Sequence, residues 1–168
     1  MMMKSLLPVA AVLILLDLAT RAEASNGPLF ITPQTSDWTV KYQKDASGET
    51  YTLVPPDSQV GDFAFSRWTA PGNSDQISGY LDTLAKGFID AAQRNPKIQL
   101  DSTDYVQGEF IGDPYSGKFV EFTFKSGIKD VLFMFGDSNG LWYGHYIGTP
   151  DGWLNAMEVL KSIQIRKG

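Results

Sequence analysis

The stretch DVLFMFGDSNGLWYGHYIGTPDGW, running from Asp130 to Trp153, decides the fold. Asp130–Phe135 is apolar at successive positions, which suits a strand covered on both faces at the centre of a sheet. Ser138-Asn139-Gly140 is a hairpin signal, because Asn-Gly accepts the positive φ angles of a tight turn. Leu141–Ile147 then returns as the last strand. Thr149 and Pro150 open a helix, with threonine as N-cap, proline at the first helical position and Asp151 in the first turn. Trp153, Met157 and Leu160 form its buried stripe.

The pattern extends upstream. Lys118–Lys125 alternates, with Val120, Phe122 and Phe124 on one face and Glu121, Thr123 and Lys125 on the other. Tyr105–Ile111 precedes it across the turn-rich segment Gly112–Gly117. Between Asn73 and Asn95 the spacing predicts a helix. Asn73 and Gln76 make a capping box, and Ile77, Leu81, Leu84 and Phe88 recur at helical intervals. Gly79 and Gly87 weaken it by about 1 kcal/mol each against alanine, and Pro96 stops it. Trp38–Gln43 and Glu49–Val54 read as a hairpin around Asp45–Gly48, closed by Pro55-Pro56, with Phe63–Trp68 as a further strand. Hairpin runs with segregated helices predict an α+β fold, an antiparallel sheet of about six strands covered by two main helices.

The N-terminus carries an address. Lys4 precedes the apolar run Leu6–Leu16, and Ala22-Glu23-Ala24 gives the small-x-small pattern of a signal-peptidase site. The run is about half of the roughly 20 apolar residues a membrane span needs. Residues 1–24 therefore read as a cleaved secretory signal, and residues 25–168 as one globular domain. Asp17, close to the apolar run, leaves an uncleaved anchor as the other reading. Removing residues 1–24 leaves 144 residues with 12 Lys and Arg against 17 Asp and Glu, the same net charge of −5. No basic stripe is present to neutralise phosphates, so neither nucleic acid nor an anionic membrane surface is an expected partner. Membrane insertion of the mature chain is not expected either. The chain has no cysteine, which removes thiol nucleophiles, disulfides and thiolate metal sites.

His145 is the one histidine. On an alternating strand it shares a face with Leu141, Tyr143 and Ile147, opposite Trp142, Gly144 and Tyr146. It has no carboxylate beside it in sequence, so a surface or half-buried histidine is the simpler reading, and no metal site is expected. Asp101, Asp104, Glu109 and Asp113 lie around one strand, where paired carboxylates could serve hydrolysis; aspartate is also ordinary turn chemistry. No glycine string of a phosphate loop or nucleophile elbow occurs. No catalytic residue and no cofactor is assigned. The aromatics are the feature most open to function, since tyrosine and tryptophan anchor interfaces. Trp142 and Tyr146 are the candidate binding residues should they project from an uncovered sheet face; rings filling a core under the helices are the simpler reading.

The order of elements, with Asp130–Phe135, Gly140–Ile147 and a closing helix Trp153-x-x-Ala156-x-x-x-Leu160-x-Ser162-Ile163, resembles the PsbP/DcrB-like α/β/α sandwich group. The likeness covers most of Trp38–Ile165. It implies a non-enzymatic scaffold that docks to other proteins, and carries no functional residue onto this chain. The expected function is an exported, most simply periplasmic, binding or accessory protein for another envelope protein. An immunity or inhibitor protein neutralising a toxin or hydrolase is the alternative. A small carboxylate/histidine hydrolase is the second; it requires a cleft holding His145 within hydrogen-bond reach of a carboxylate.

Overall fold

A computed structural model describes residues 27–31, 38–54, 62–68, 72–137 and 140–165. The signal segment 1–24, the Pro55-Pro56 stop and the Ser138-Asn139 turn lie outside the described residues. In chain order the elements are β1 (Leu29–Phe30), β2 (Thr39–Asp45), β3 (Gly48–Val54), β4 (Phe63–Arg67), α1 (Ile77–Arg94), β5 (Val106–Ile111), β6 (Ser116–Thr123), β7 (Lys129–Asp137), β8 (Gly140–Gly148), α2 (Pro150–Lys161) and β9 (Gln164–Ile165). The fold is the α+β one that the sequence predicts. Its antiparallel sheet has seven strands against an expected six or so, in spatial order β2-β3-β4-β8-β7-β6-β5. A second, two-stranded sheet pairs β1 with β9, joining the two ends of the described chain.

Both helices begin where the sequence places them. Asn73 accepts from the Asp75 amide, and the Gln76 side chain accepts from the Asn73 amide, so the capping box is complete. A short 3-10 turn, Ser74–Gln76, leads into α1. In α2 the Gly152 amide donates to Thr149 Oγ1 at 3.1 Å. Its buried residues are Gly152, Trp153, Ala156, Val159 and Leu160. Met157, expected in that stripe, is only half-buried, because Ala156 and Val159 are the residues in line with Trp153 and Leu160.

The helices cover opposite faces. On the α2 face, Tyr51, Phe63, Phe65, Phe133, Phe135, Trp142 and Tyr146 pack beneath Trp153. Gly144 matters here: a Cβ at this position would lie 2.2 Å from the Phe133 ring, so only glycine lets the ring cross β8. On the other face Ile77, Leu81 and Ala85 of α1 pack on Val120, Phe122, Leu132, Met134 and Leu141. β7 supplies apolar side chains to both cores, as its unbroken apolar run requires. Tyr51 fastens the small sheet to the large one, its hydroxyl accepting from the Leu29 amide at 2.9 Å.

Candidate functional site

The structure corrects the two candidate binding residues first. Trp142 is 1% exposed and Tyr146 is fully buried. The Trp142 ring lies 5.6 Å from Tyr51 and 5.9 Å from Phe65, edge-on to both, and the Arg67 guanidinium sits 5.3 Å from its centre. The Tyr146 ring lies 5.5 Å from Trp153, tilted against it, and its hydroxyl donates to the Thr149 carbonyl at 2.8 Å. Parity does put both rings on the face opposite His145. That face is covered by α2 together with β1, so the rings build the core and offer no surface anchor.

His145 gains a partner that its sequence neighbours do not supply. The β7–β8 register sets Leu132 opposite His145 and Asp130 opposite Ile147, which makes Asp130 the diagonal neighbour of His145 on one face. Asp130 Oδ1 lies 2.8 Å from His145 Nε2, with the carboxylate side chain 5% exposed and the imidazole 36%. Tyr143 shares this face; burial, and then the charge of Asp130, raise its hydroxyl above the ordinary tyrosine range. Away from α1 the face continues over Ala64, Ser66 and Thr50, which are half-buried, to Thr52, Lys41 and Gln43, which are exposed. Ser66 Oγ and Thr50 Oγ1 are 2.8 Å apart. One half of the hydrolase requirement is therefore met, a carboxylate within reach of His145. Neither residue of the pair lines the described cleft.

The described cleft lies on the other side of α1. It is about 320 Å³ and runs between Ser78, Leu81 and Asp82 of the helix and Gln107, Glu109 and Lys118 of β5 and β6. Lys118 Nζ donates to Ser78 Oγ at 2.9 Å. Gln107 Nε2 and the Tyr105 hydroxyl both donate to Asp82 Oδ1, at 2.8 and 3.3 Å. Among the described residues neither Asp82 nor Glu109 forms an ion pair, although Glu109 faces Lys118 across the ladder. Of the carboxylates noted around this strand, the structure brings Glu109 to the cleft and adds Asp82. Sequence reasoning missed Asp82, which comes from a helix remote in the chain.

β5 itself is the edge of the seven-stranded sheet. Val106 is 59% exposed and Ile111 73%. The Gly112 amide donates to the Tyr115 carbonyl at 3.0 Å. Bonded and non-bonded pairs alternate along an antiparallel ladder, so the amides of Gln107, Glu109 and Ile111 point away from β6.

No protein-family model matches the chain, and no curated protein matches it. Among solved structures it is similar to cyanobacterial PsbP (CyanoP) from Synechocystis sp. PCC 6803, determined in solution. The identity is 14%, covering 84% of this chain and 95% of that one, with a TM-score of 0.45. Among the described residues no helix is long and apolar enough to cross a membrane, and no group of three or more His, Asp or Glu is placed to hold a metal ion.

Proposed function

We propose that this protein is an exported, non-enzymatic binding or accessory protein that docks to another protein of the cell envelope. The observation that carries the reading is β5, an edge strand with Val106 and Ile111 exposed and a polar cleft alongside. An edge strand offers a row of unpaired backbone groups to an incoming chain, and natural edges are usually blunted by lysine, proline or a bulge. Within Val106–Ile111 this one has no lysine, proline or bulge, and its one charge is Glu109. Export is supported by the apolar run and small-x-small site of residues 1–24, and N-terminal sequencing of exported material should begin at Ser25.

Photo-crosslinking in the producing cell tests the docking. A photoreactive residue at position 111 should give a discrete adduct with a second protein, while one at exposed Lys86 on α1 should not. Adducts from neither position would count against the reading.

A second reading is favoured by one observation, the 2.8 Å contact between His145 and Asp130. In it His145 serves as general base and Asp130 positions the ring. Turnover of ester, amide or glycoside substrates that vanishes in a folded His145→Ala variant would establish this reading in place of the first.

A further inference from the structure

Resting on the binding reading, we infer that β5 is the docking strand and that its partner is an extended segment bearing basic side chains at alternate positions. Three features of the structure converge on this strand. The amides of Gln107, Glu109 and Ile111 point outward and can pair with an eighth strand, the mode in which main-chain hydrogen bonds give affinity and side-chain pockets give specificity. The same three residues set their side chains on the α1 face, so an added strand lays alternate side chains toward the cleft that begins at Gln107 and Glu109. At that cleft two carboxylates, Asp82 and Glu109, face one ammonium, Lys118, which is engaged by a neutral hydroxyl.

The charge balance selects the occupant. A cationic side chain entering the cleft meets carboxylates that have no competing ion pair among the described residues. An acidic segment would meet them as like charges, and like charges directly opposite across strands are destabilising. The same argument disfavours a second copy of this chain in the antiparallel register centred on Glu109, which would set Glu109 of one copy beside Glu109 of the other. On the α2 face of the added strand, exposed Val106 favours an apolar contact.

The test is amide exchange and chemical-shift mapping on the isotope-labelled mature protein. The probe is a short synthetic peptide alternating lysine and threonine, with a glutamate–threonine peptide as its counterpart. Binding of the lysine peptide should slow exchange at Gln107, Glu109 and Ile111 while leaving exposed β2 amides unchanged. Glu109→Lys, a change at an exposed position, should weaken binding about fivefold or more, in line with the loss of an exposed charge pair and its replacement by repulsion. Asp82→Asn should weaken it in the same direction with the helix retained by circular dichroism. Equal binding of the glutamate peptide, protection confined to other strands, or a β5-mediated dimer in sedimentation would each overturn the inference. An in-cell adduct that forms from another surface while β5 stays unprotected would leave the binding reading standing and remove this one.

Discussion

Asp130 and His145, 15 residues apart in the chain, meet at 2.8 Å across the β7–β8 hairpin, a buried carboxylate beneath a half-exposed imidazole. A buried carboxylate that loses its partner bears its desolvation penalty alone. His145→Ala should therefore lower stability by about 1–3 kcal/mol, read as an earlier denaturant midpoint. Asp130→Asn, which removes the charge and keeps the shape, should cost less. Partner binding should survive His145→Ala within a few-fold at temperatures where the variant is folded. A variant that melts like the parent would show that the contact is not a structural one.

The aromatic core beneath α2 sets the next expectation. Trp153 is 3% exposed and lies 5.2 Å from Phe119, 5.5 Å from Tyr146 and 6.1 Å from Phe133. Truncation to alanine should cost about 3–5 kcal/mol, a large part of a typical stability of roughly 5–15 kcal/mol. Trp142→Ala should fall in the same range, which an exposed interface residue would not. Thermal melts of the two variants decide the matter, and a Trp142→Ala protein with unchanged melting temperature would contradict the burial of that ring.

Gly79 and Gly87 lie within α1 with no structural demand for glycine. Both are exposed, and a Cβ at either would meet nothing within 4 Å. Alanine at each should raise stability by about 0.5–1 kcal/mol through helix propensity and a less flexible unfolded chain. Chemical denaturation of the single and double variants checks this, with additivity expected because the sites are two turns apart and share no partner. A loss of stability in either would mean that α1 relies on its glycines in a way the packing does not show.

Tyrosine chemistry gives the pH dependence. Burial raises both Tyr143 and Tyr146 above the ordinary tyrosine value near 10, and the charge of Asp130 adds to the effect at Tyr143. The folded state thus holds these protons more tightly than the unfolded chain. Their contribution to stability is complete below about pH 10 and is lost as pH rises through the raised folded values. Tyrosinate absorbance should show late-titrating groups, and Tyr143→Phe should remove one of them and flatten the alkaline loss of stability. An unchanged titration in that variant would contradict the assignment.

Local signals carried most of the fold. Two-residue alternation, the Asp45–Gly48 turn, the Asn73/Gln76 capping box and Thr149-Pro150 each sit in elements that form much where the sequence puts them, since each rests on contacts within a few residues. The placement of β4 beside β8 was not legible, because Phe63 and Tyr146 are brought together by packing across half the length of the chain. β1 and β9 are two residues each, too short to show a period. The site divides the same way. Parity placed Trp142 and Tyr146 opposite His145, but which face is covered depends on α2 and β1. The Asp130–His145 contact was within reach: with Asp137 opposite Gly140, counting back along both strands makes the two residues diagonal neighbours.

The central claim is that this protein works by binding through β5 and not by chemistry at His145. The direct measurement is the mass of the native complex isolated from producing cells, compared among the parent, Ile111→Lys and His145→Ala proteins at equal folded concentration. The account predicts that the complex persists in His145→Ala and is lost in Ile111→Lys, where a charge is placed on the docking strand. A complex untouched by Ile111→Lys, together with a biological activity abolished by His145→Ala, would contradict it.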